Sequence, residues 1–316
     1  MNASCWYWKQ VIGSIFSFSK QRVYIGGTML KNYLVTTLRK IKKHKAFSFI
    51  NISGLTLGMA CCILILLWVQ DEMSYDRFFN HSDELYRLVV VEQKQNRLDM
   101  IDIKTPWPAA KILKESIPEI RDAARFHFLR NRTLQYEDRL FNENGFGFAD
   151  SSFFDLFSFE FIKGNYRNAL KDLNSIALTE EMAEKYFGRE DPVGKTMTLD
   201  NKTNLNVTGV IKNIPHNTHF ESSYYRFDCL VPIPLYKNYA SGFENWEEFR
   251  FIAYILLEKG IDYRKINEKI ALVFDEHAKS ASDIRLFLQP VKSIRLVDIN
   301  GEPTGMRNIT IFLSYM

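Results

Sequence analysis

Three stretches of the chain carry residue types that do chemistry in other settings. Gly194-Lys195-Thr196 has the ending of a phosphate-binding loop. That loop requires a glycine five residues before the Gly-Lys pair, because bare backbone must wrap the phosphates. Arg189 stands there, with Gly188 one residue out of register, so Pro192-Val193-Gly194 reads instead as a turn entering a strand. His216 and His219 could offer two imidazoles to a metal ion, yet no cysteine or further histidine lies near them. A turn with hydrogen-bonded histidines is the expectation. Asp71, Glu72 and Asp76 could take a cation, but they fall at a predicted helix end beside Arg77 and read as interface charges. GxSxG, HExxH and CxxC motifs are absent, as are paired carboxylates in a catalytic frame. An enzyme, a resident cofactor and a bound metal are therefore not expected.

The elements that hold these residues are set by one segment. Residues 46–70, between Lys45 and Asp71, contain no charge. An apolar run of 18 or more residues is the signature of a membrane-spanning helix. Taken as helix, Phe47–Val69 extends roughly 35 Å, enough to cross a ~30 Å hydrocarbon layer with some tilt. The run is too long for a secretory signal, starts too late and ends without a small-x-small cleavage site. An uncleaved anchor is predicted.

Charge orients it. The 45 residues before the run hold nine bases and no acid, which leaves 32 bases against 37 acids beyond it, a formal −5. A Lys/Arg excess beside a span stays in the cytoplasm. The N-terminus is expected inside and residue 71 onward outside. These bases abut the apolar run without an aromatic stacking face, so nucleic acid is not an expected partner.

Upstream, residues 1–28 show no clear period and form a leader, consistent with an upstream start codon, and Met29 is a second plausible start. From there Leu30, Leu34, Leu38 and Ile41 form a stripe with Lys31, Arg39, Lys42 and Lys43 off it. Residues 29–45 thus read as a basic amphipathic helix lying in the membrane interface. Within the span, Gly54 and Gly58 make a GxxxG pattern that lets a second helix approach closely.

Residues 71–305 are long enough for one large or two modest cores. Cys229 is the single cysteine there, since Cys5, Cys61 and Cys62 precede residue 71. No internal disulfide can form, and packing alone must hold the region together. The span helix is predicted to continue through QDEMSYDRFF to Phe79. A strand from Leu85, a helix over 108–116, a strand near 125–128 and two further short strands to Asp150 follow. A short helix capped by Asp150 or Ser151 runs through Phe157. Thr179 is placed as the N-cap of EEMAEKYF, with Gly188 just past its last turn. Strands TMTL, LNVTGVIK and FRFIAYILLEK, a helix capped by Asp262 and a strand IRLFLQPV complete the pattern. Irregular alternation favours a mixed α+β domain over a regular parallel sheet. Residues 306–316 are too short to span a bilayer and read either as a buried strand or as the start of a second span.

Five motifs in order carry a resemblance. They are LRKIKKHKAFSFINISGLTLGMA, DEMSYDRFFNHSDELYRLV, FADSSFFDLFSFEFIKGN, IALTEEMAEKYFGREDPVGKTMTLD and VTGVIKNIPHNTHF, covering most of residues 29–260. Together they resemble the MacB-like and FtsX-like permeases of ABC transporters. The resemblance implies a membrane-anchored α+β protein: an amphipathic helix, one transmembrane helix (46–70) and a large extracytoplasmic domain (71–305). Residues 306–316 would then begin a second membrane helix that is cut short. It implies a bacterial inner-membrane location and an efflux-type permease subunit or its N-terminal fragment. Implied partners are a cytoplasmic ATPase that binds the ATP, a second permease in a homo- or heterodimer, the bilayer, and an adaptor or outer-membrane protein. Gly54 and Gly58 are then expected to make helix contacts. Asp71, Glu72, Tyr75, Asp76 and Arg77 are expected to form a stalk transmitting motion. The alternative is a single-span anchored domain that senses or scaffolds in the envelope without transport.

Overall fold

In the computed structural model, the structure describes residues 29, 31–92, 100–221, 225–278 and 284–295. The leader and residues 306–316 lie outside the described residues. The chain divides into two compact units, Met1–Val69 and Gln70–Met316.

In the first unit, residues 31–43 are helical (α1), with Leu34 and Leu38 exposed. Helix α2, Lys45–Ser74, starts in this unit, and it is the one helix among the described residues long and apolar enough to cross a membrane. Two of its hydroxyls bond within the helix. Thr56 Oγ1 donates to the Ile52 carbonyl at 2.7 Å and Ser53 Oγ to that of Ile50 at 3.1 Å. Such back-bonding removes an unpaired hydroxyl from an apolar surround.

The second unit is built on one mixed sheet. Its strands are β1 (Leu85–Glu92), β2 (Met100–Asp102), β3 (Lys104–Pro106), β4 (Ile120–Leu129), β5 (Arg132–Tyr136), β6 (Arg139–Glu143) and β7 (Phe146–Ala149). The set continues with β8 (Phe161–Gly164), β9 (Ser175–Thr179), β10 (Thr196–Leu199), β11 (Thr203–Ile211), β12 (Cys229–Pro232), β13 (Phe249–Leu257) and β14 (Ile284–Pro290). The order is β14-β1-β13-β4-β7-β12-β9-β11-β10-β5-β6, with β2, β3 and β8 as side pairings. Two pairs are parallel, β9 with β11 and β7 with β12. The helices are α3 (Ala109–Ser116), α4 (Phe153–Phe157), α5 (Glu180–Phe187) and α6 (Tyr263–His277). This is the mixed α+β arrangement expected.

Local sequence explains most of it. β13 is apolar on both faces because it lies between β1 and β4 with core on either side, and all residues from Phe251 to Leu257 are buried. β1 alternates: Tyr86, Leu88 and Val90 join the core under α3 and α6, while Leu85 joins a phenylalanine-rich core on the opposite face. In that second core, Phe153 packs against Phe157 at 4.8 Å and Phe157 against Phe220 at 4.9 Å between ring centroids. Edge-on and tilted aromatic pairs of this kind contribute about 0.5–1.5 kcal/mol each beyond area burial. Thr179 caps α5 as expected, its Oγ1 accepting from Met182 N, and Gly188 closes it at φ +61°. Asp262 likewise caps α6 through Arg264 N.

Three expectations are corrected. The long helix stops at Ser74 rather than Phe79, because Asp76 takes φ +57°, a left-handed conformation that no helix continues through. The N-cap position of α4 is Ser152, not Asp150 or Ser151; its hydroxyl donates to the Ala123 carbonyl, so it ties the helix to β4 rather than to its own first turn. Between Arg130 and Asp150 there are three strands, β5 to β7, rather than two. Strands β2, β3, β8, β9 and β12 were not anticipated, being three to five residues long and, in β9 and β12, without alternation.

Candidate functional site

The residues singled out from sequence at 71–77 come together with the two histidines that were read separately. Helix α2 ends at Ser74, and the chain must turn to enter β1 at Leu85. The loop after β11, residues 212–219, receives that turn. Asp76 N donates to the Asn217 carbonyl at 2.9 Å. Its carboxylate is fully buried and accepts from Thr218 Oγ1 at 2.7 Å, His219 Nδ1 at 2.8 Å and the His219 backbone N–H at 3.1 Å. The far ring nitrogen of His219 lies 2.7 Å from the Tyr254 hydroxyl on β13. Left-handed backbone is tolerated at Asp better than at most residues, and these bonds supply what holds it there.

Two further contacts flank this seat. Glu72, on the last turn of α2, is buried and accepts from Arg295 Nε at 2.8 Å and Nη2 at 3.4 Å. The Arg295 guanidinium also lies 4.7 Å from the Tyr75 ring, within cation–π range. Arg295 follows β14, so the chain's entry to this unit and its path out of β14 are pinned together. Asp71 meets His216 at 3.2 Å with both side chains exposed, a pair worth little in water. Asn217 Nδ2 donates to Ser74 Oγ at 3.1 Å. Three residues beyond Asp76, Phe79 is 2% exposed and packs edge-on against Phe157 at 5.1 Å and Phe159 at 5.5 Å. The exit of α2 is thus held by a polar anchor and an apolar one.

Electrostatics at the polar anchor are one-sided. Burial pushes the Asp76 carboxyl up, but the His219 charge, its hydrogen bonds and the Thr218 hydroxyl outweigh it and hold the group below the ordinary carboxylate range. A carboxyl lowered on folding adds stability above its unfolded pKa of about 3.9 and loses it as pH falls through the lower folded value. The melting-temperature difference between the wild type and Asp76→Asn is expected to be wide at about pH 5–6 and to narrow progressively as the pH falls below about 4. A difference that stays constant from about pH 6 to pH 3 would show that ionised Asp76 is not what holds the seat.

The other singled-out residues are placed plainly. Arg77 is exposed, and the exposed pair Gly54 and Gly58 would have nothing within 4 Å of an added Cβ, so among the described residues no helix lies against them. The Gly194-Lys195-Thr196 stretch leaves a turn at Gly194, φ +85°, and enters β10 at Thr196. Lys195 pairs with Glu190, and Thr196 Oγ1 donates to Asn206 Oδ1 at 2.9 Å, which leaves no phosphate cradle. Among the described residues no group of three or more His, Cys, Asp or Glu could hold a metal ion. Sequence reasoning missed Tyr254, Thr218 and Arg295.

The profile of the MacB-like periplasmic core domain matches residues 48–272. A search of curated proteins finds no match. Among solved structures, the chain is similar to a domain of a permease protein from Porphyromonas gingivalis at TM-score 0.56 and 22% identity, over 68% of this chain and 92% of that one. It also aligns with the periplasmic region of MacB from Actinobacillus actinomycetemcomitans, at TM-score 0.48 and 13% identity over 66% and 90% of the two chains. The extracellular domain of the noncanonic ABC-type transporter YknZ from Gram-positive bacteria aligns at 0.46 and 13%, over 65% and 99%. The first of these carries the likeness in fold.

Proposed function

From the premise that this chain belongs to the MacB-like periplasmic core domain family, we propose that it works as an efflux-type permease subunit that passes motion from a cytoplasmic ATPase to its extracytoplasmic domain. The family is one of ABC-transporter-type permease domains and not of enzymes. A membrane anchor with an extracytoplasmic domain follows from that membership, and α2 is the anchor candidate.

The observation that carries the transmission reading is the seat at the end of α2. An anchor that only tethers a domain can do so through a flexible link. Here the link is instead ordered by Asp76 and Phe79, both buried, within five residues of the helix end. A rigid element seated in a core can carry displacement, and a slack one cannot. In this reading Asp71, Glu72, Tyr75, Asp76 and Arg77 form the transmission stalk. Gly54 and Gly58, exposed in the single chain, supply the strip on which another membrane helix packs, either within the same subunit or from a second permease. The nine bases before the span keep α1 at the cytoplasmic surface, where the ATPase acts.

The test is biochemical. Purified from its native membrane, the whole protein should bring an ABC ATPase in fixed stoichiometry and raise that subunit's ATP turnover. Recovery with envelope proteins but without any ATPase would favour a sensing or scaffolding anchor. Protease added to intact spheroplasts should cut beyond residue 71 and spare α1; the reverse pattern would overturn the orientation.

A further inference from the structure

The two edges of β4 are paired over different lengths. β13 meets one edge from Ile120 to Phe126, whereas β7 meets the other only from Phe126 to Leu129. Ahead of Phe126 that second edge is finished by side chains instead of a strand. Ser152 Oγ donates to the Ala123 carbonyl at 2.8 Å, and Asp122 Oδ1 accepts from the Ala123 N–H at 2.8 Å. Asp150 Oδ2 accepts from the Arg125 N–H at 2.8 Å. Residues of α3 and α4 line the cleft left beside this edge, about 610 Å³ in volume. Clefts of that size hold small ligands.

Most of the charge in its wall is neutralised within the wall. The Arg125 guanidinium holds both oxygens of Asp150 at 2.8 Å and stacks on the Trp107 ring at 3.8 Å. Lys114 Nζ donates to Asp122 Oδ1 at 2.6 Å. Two groups remain. Asp155 on α4 and Arg167 in the turn after β8 both line the cleft, and both are exposed. Among the described residues, neither side chain makes a hydrogen bond or an ion pair, and Arg167 only rests 5.3 Å from the ring of its neighbour Tyr166. A carboxylate and a guanidinium that share a cleft without meeting each offer a charge-assisted hydrogen bond to something placed between them. Asp122 Oδ2 and the Ser151 hydroxyl, on the same cleft, are acceptors not engaged elsewhere. An ammonium group brings three N–H donors and calls for several acceptors, while the guanidinium fork suits a carboxylate.

We propose that this cleft binds a zwitterion, a short peptide with free termini, its ammonium on Asp155 and Asp122 and its carboxylate on Arg167. A simple cation would leave Arg167 unmatched, and a simple anion would leave Asp155 unmatched. The two side chains do not touch, so charges set apart along a backbone suit them better than the adjacent charges of one amino acid. The assignment goes beyond transmission through α2 and does not depend on it.

The experiment is saturation-transfer NMR on the full chain in phosphatidylethanolamine–phosphatidylglycerol nanodiscs. The probes are trialanine, N-acetyl-trialanine and trialanine amide. Trialanine is expected to bind saturably, and each blocked form at least about tenfold more weakly. Asp155→Asn should weaken trialanine about tenfold and leave N-acetylation with little further effect; Arg167→Gln should do the same for amidation. Both side chains are exposed and unbonded, so neither variant should move the melting temperature by more than about 2 °C. Absence of saturable binding, equal binding of all three peptides, or binding indifferent to both substitutions would overturn the site. Sensitivity to blocking of one terminus alone would overturn the zwitterion. An ATPase missing from the purified protein would count against the permease reading and leave this binding in place.

Discussion

Asp76→Ala is expected to lower the stability of the folded 70–295 region by about 3–5 kcal/mol, the cost of removing a buried carboxylate from the donors that bond it. For a unit of this size that corresponds to a fall of roughly 6–20 °C in melting temperature. The magnitude follows from what is left behind rather than from the bonds removed. Alanine strands the Thr218 hydroxyl, the His219 backbone N–H and the His219 ring, all buried, with no acceptor. Each unsatisfied buried donor costs on the order of 1–3 kcal/mol. The left-handed backbone also loses the side chain that made it tolerable. Asp76→Gly separates the two effects, since it relieves the backbone but still strands the donors. It should recover only about 1 kcal/mol. Asp71→Asn is the contrasting control: its partner His216 is exposed, and the change should stay within about 0.5 kcal/mol. Equal shifts for Asp71→Asn and Asp76→Ala would remove Asp76 from its central place in the seat.

How far the sequence reveals this arrangement depends on the range of the interaction. Local signals were legible. The uncharged run marked α2, Thr179 and Gly188 bracketed α5, and Asp262 opened α6, because each is set by neighbours within a turn. The residues of the seat were legible in part. Asp71, Glu72, Asp76, His216 and His219 stand out as charged or titratable groups at predicted turns. Their pairing was not, since Asp76 and His219 are 143 positions apart and nothing local links them. The end of α2 was misplaced for the same reason. QDEMSYDRFF has good helix formers and no proline or glycine, and only a tertiary contact with the 217–219 loop stabilises the left-handed turn at Asp76. The short strands β9 and β12 are buried throughout, and a run of four or five apolar residues has no period to read.

Leu64→Pro should abolish ATP-driven coupling while leaving the extracytoplasmic fold within about 2 °C of the wild-type melting temperature. Leu64 is 66% exposed in the single chain, so its side chain contributes no core packing, and the effect runs through the backbone alone. Proline removes the N–H that bonds to the carbonyl four residues earlier and crowds that carbonyl, bending the helix at a cost of about 3 kcal/mol or more. In hydrocarbon no water relieves the freed carbonyl. From Met59 to Ser74 the helix has no glycine or proline of its own, so the native rod offers no hinge at which such a bend could be absorbed. Displacement applied at the cytoplasmic end would then be spent on bending near residue 64 rather than on moving Glu72 and Asp76. Leu64→Ala keeps the rod straight and should transmit normally, which distinguishes a mechanical defect from a lost lipid or helix contact. Leu66→Pro should behave as Leu64→Pro does. ATP-stimulated export preserved in either proline variant would mean that motion reaches the outer domain by a route other than α2, and the seat at Asp76 would then serve to hold the domain rather than to drive it.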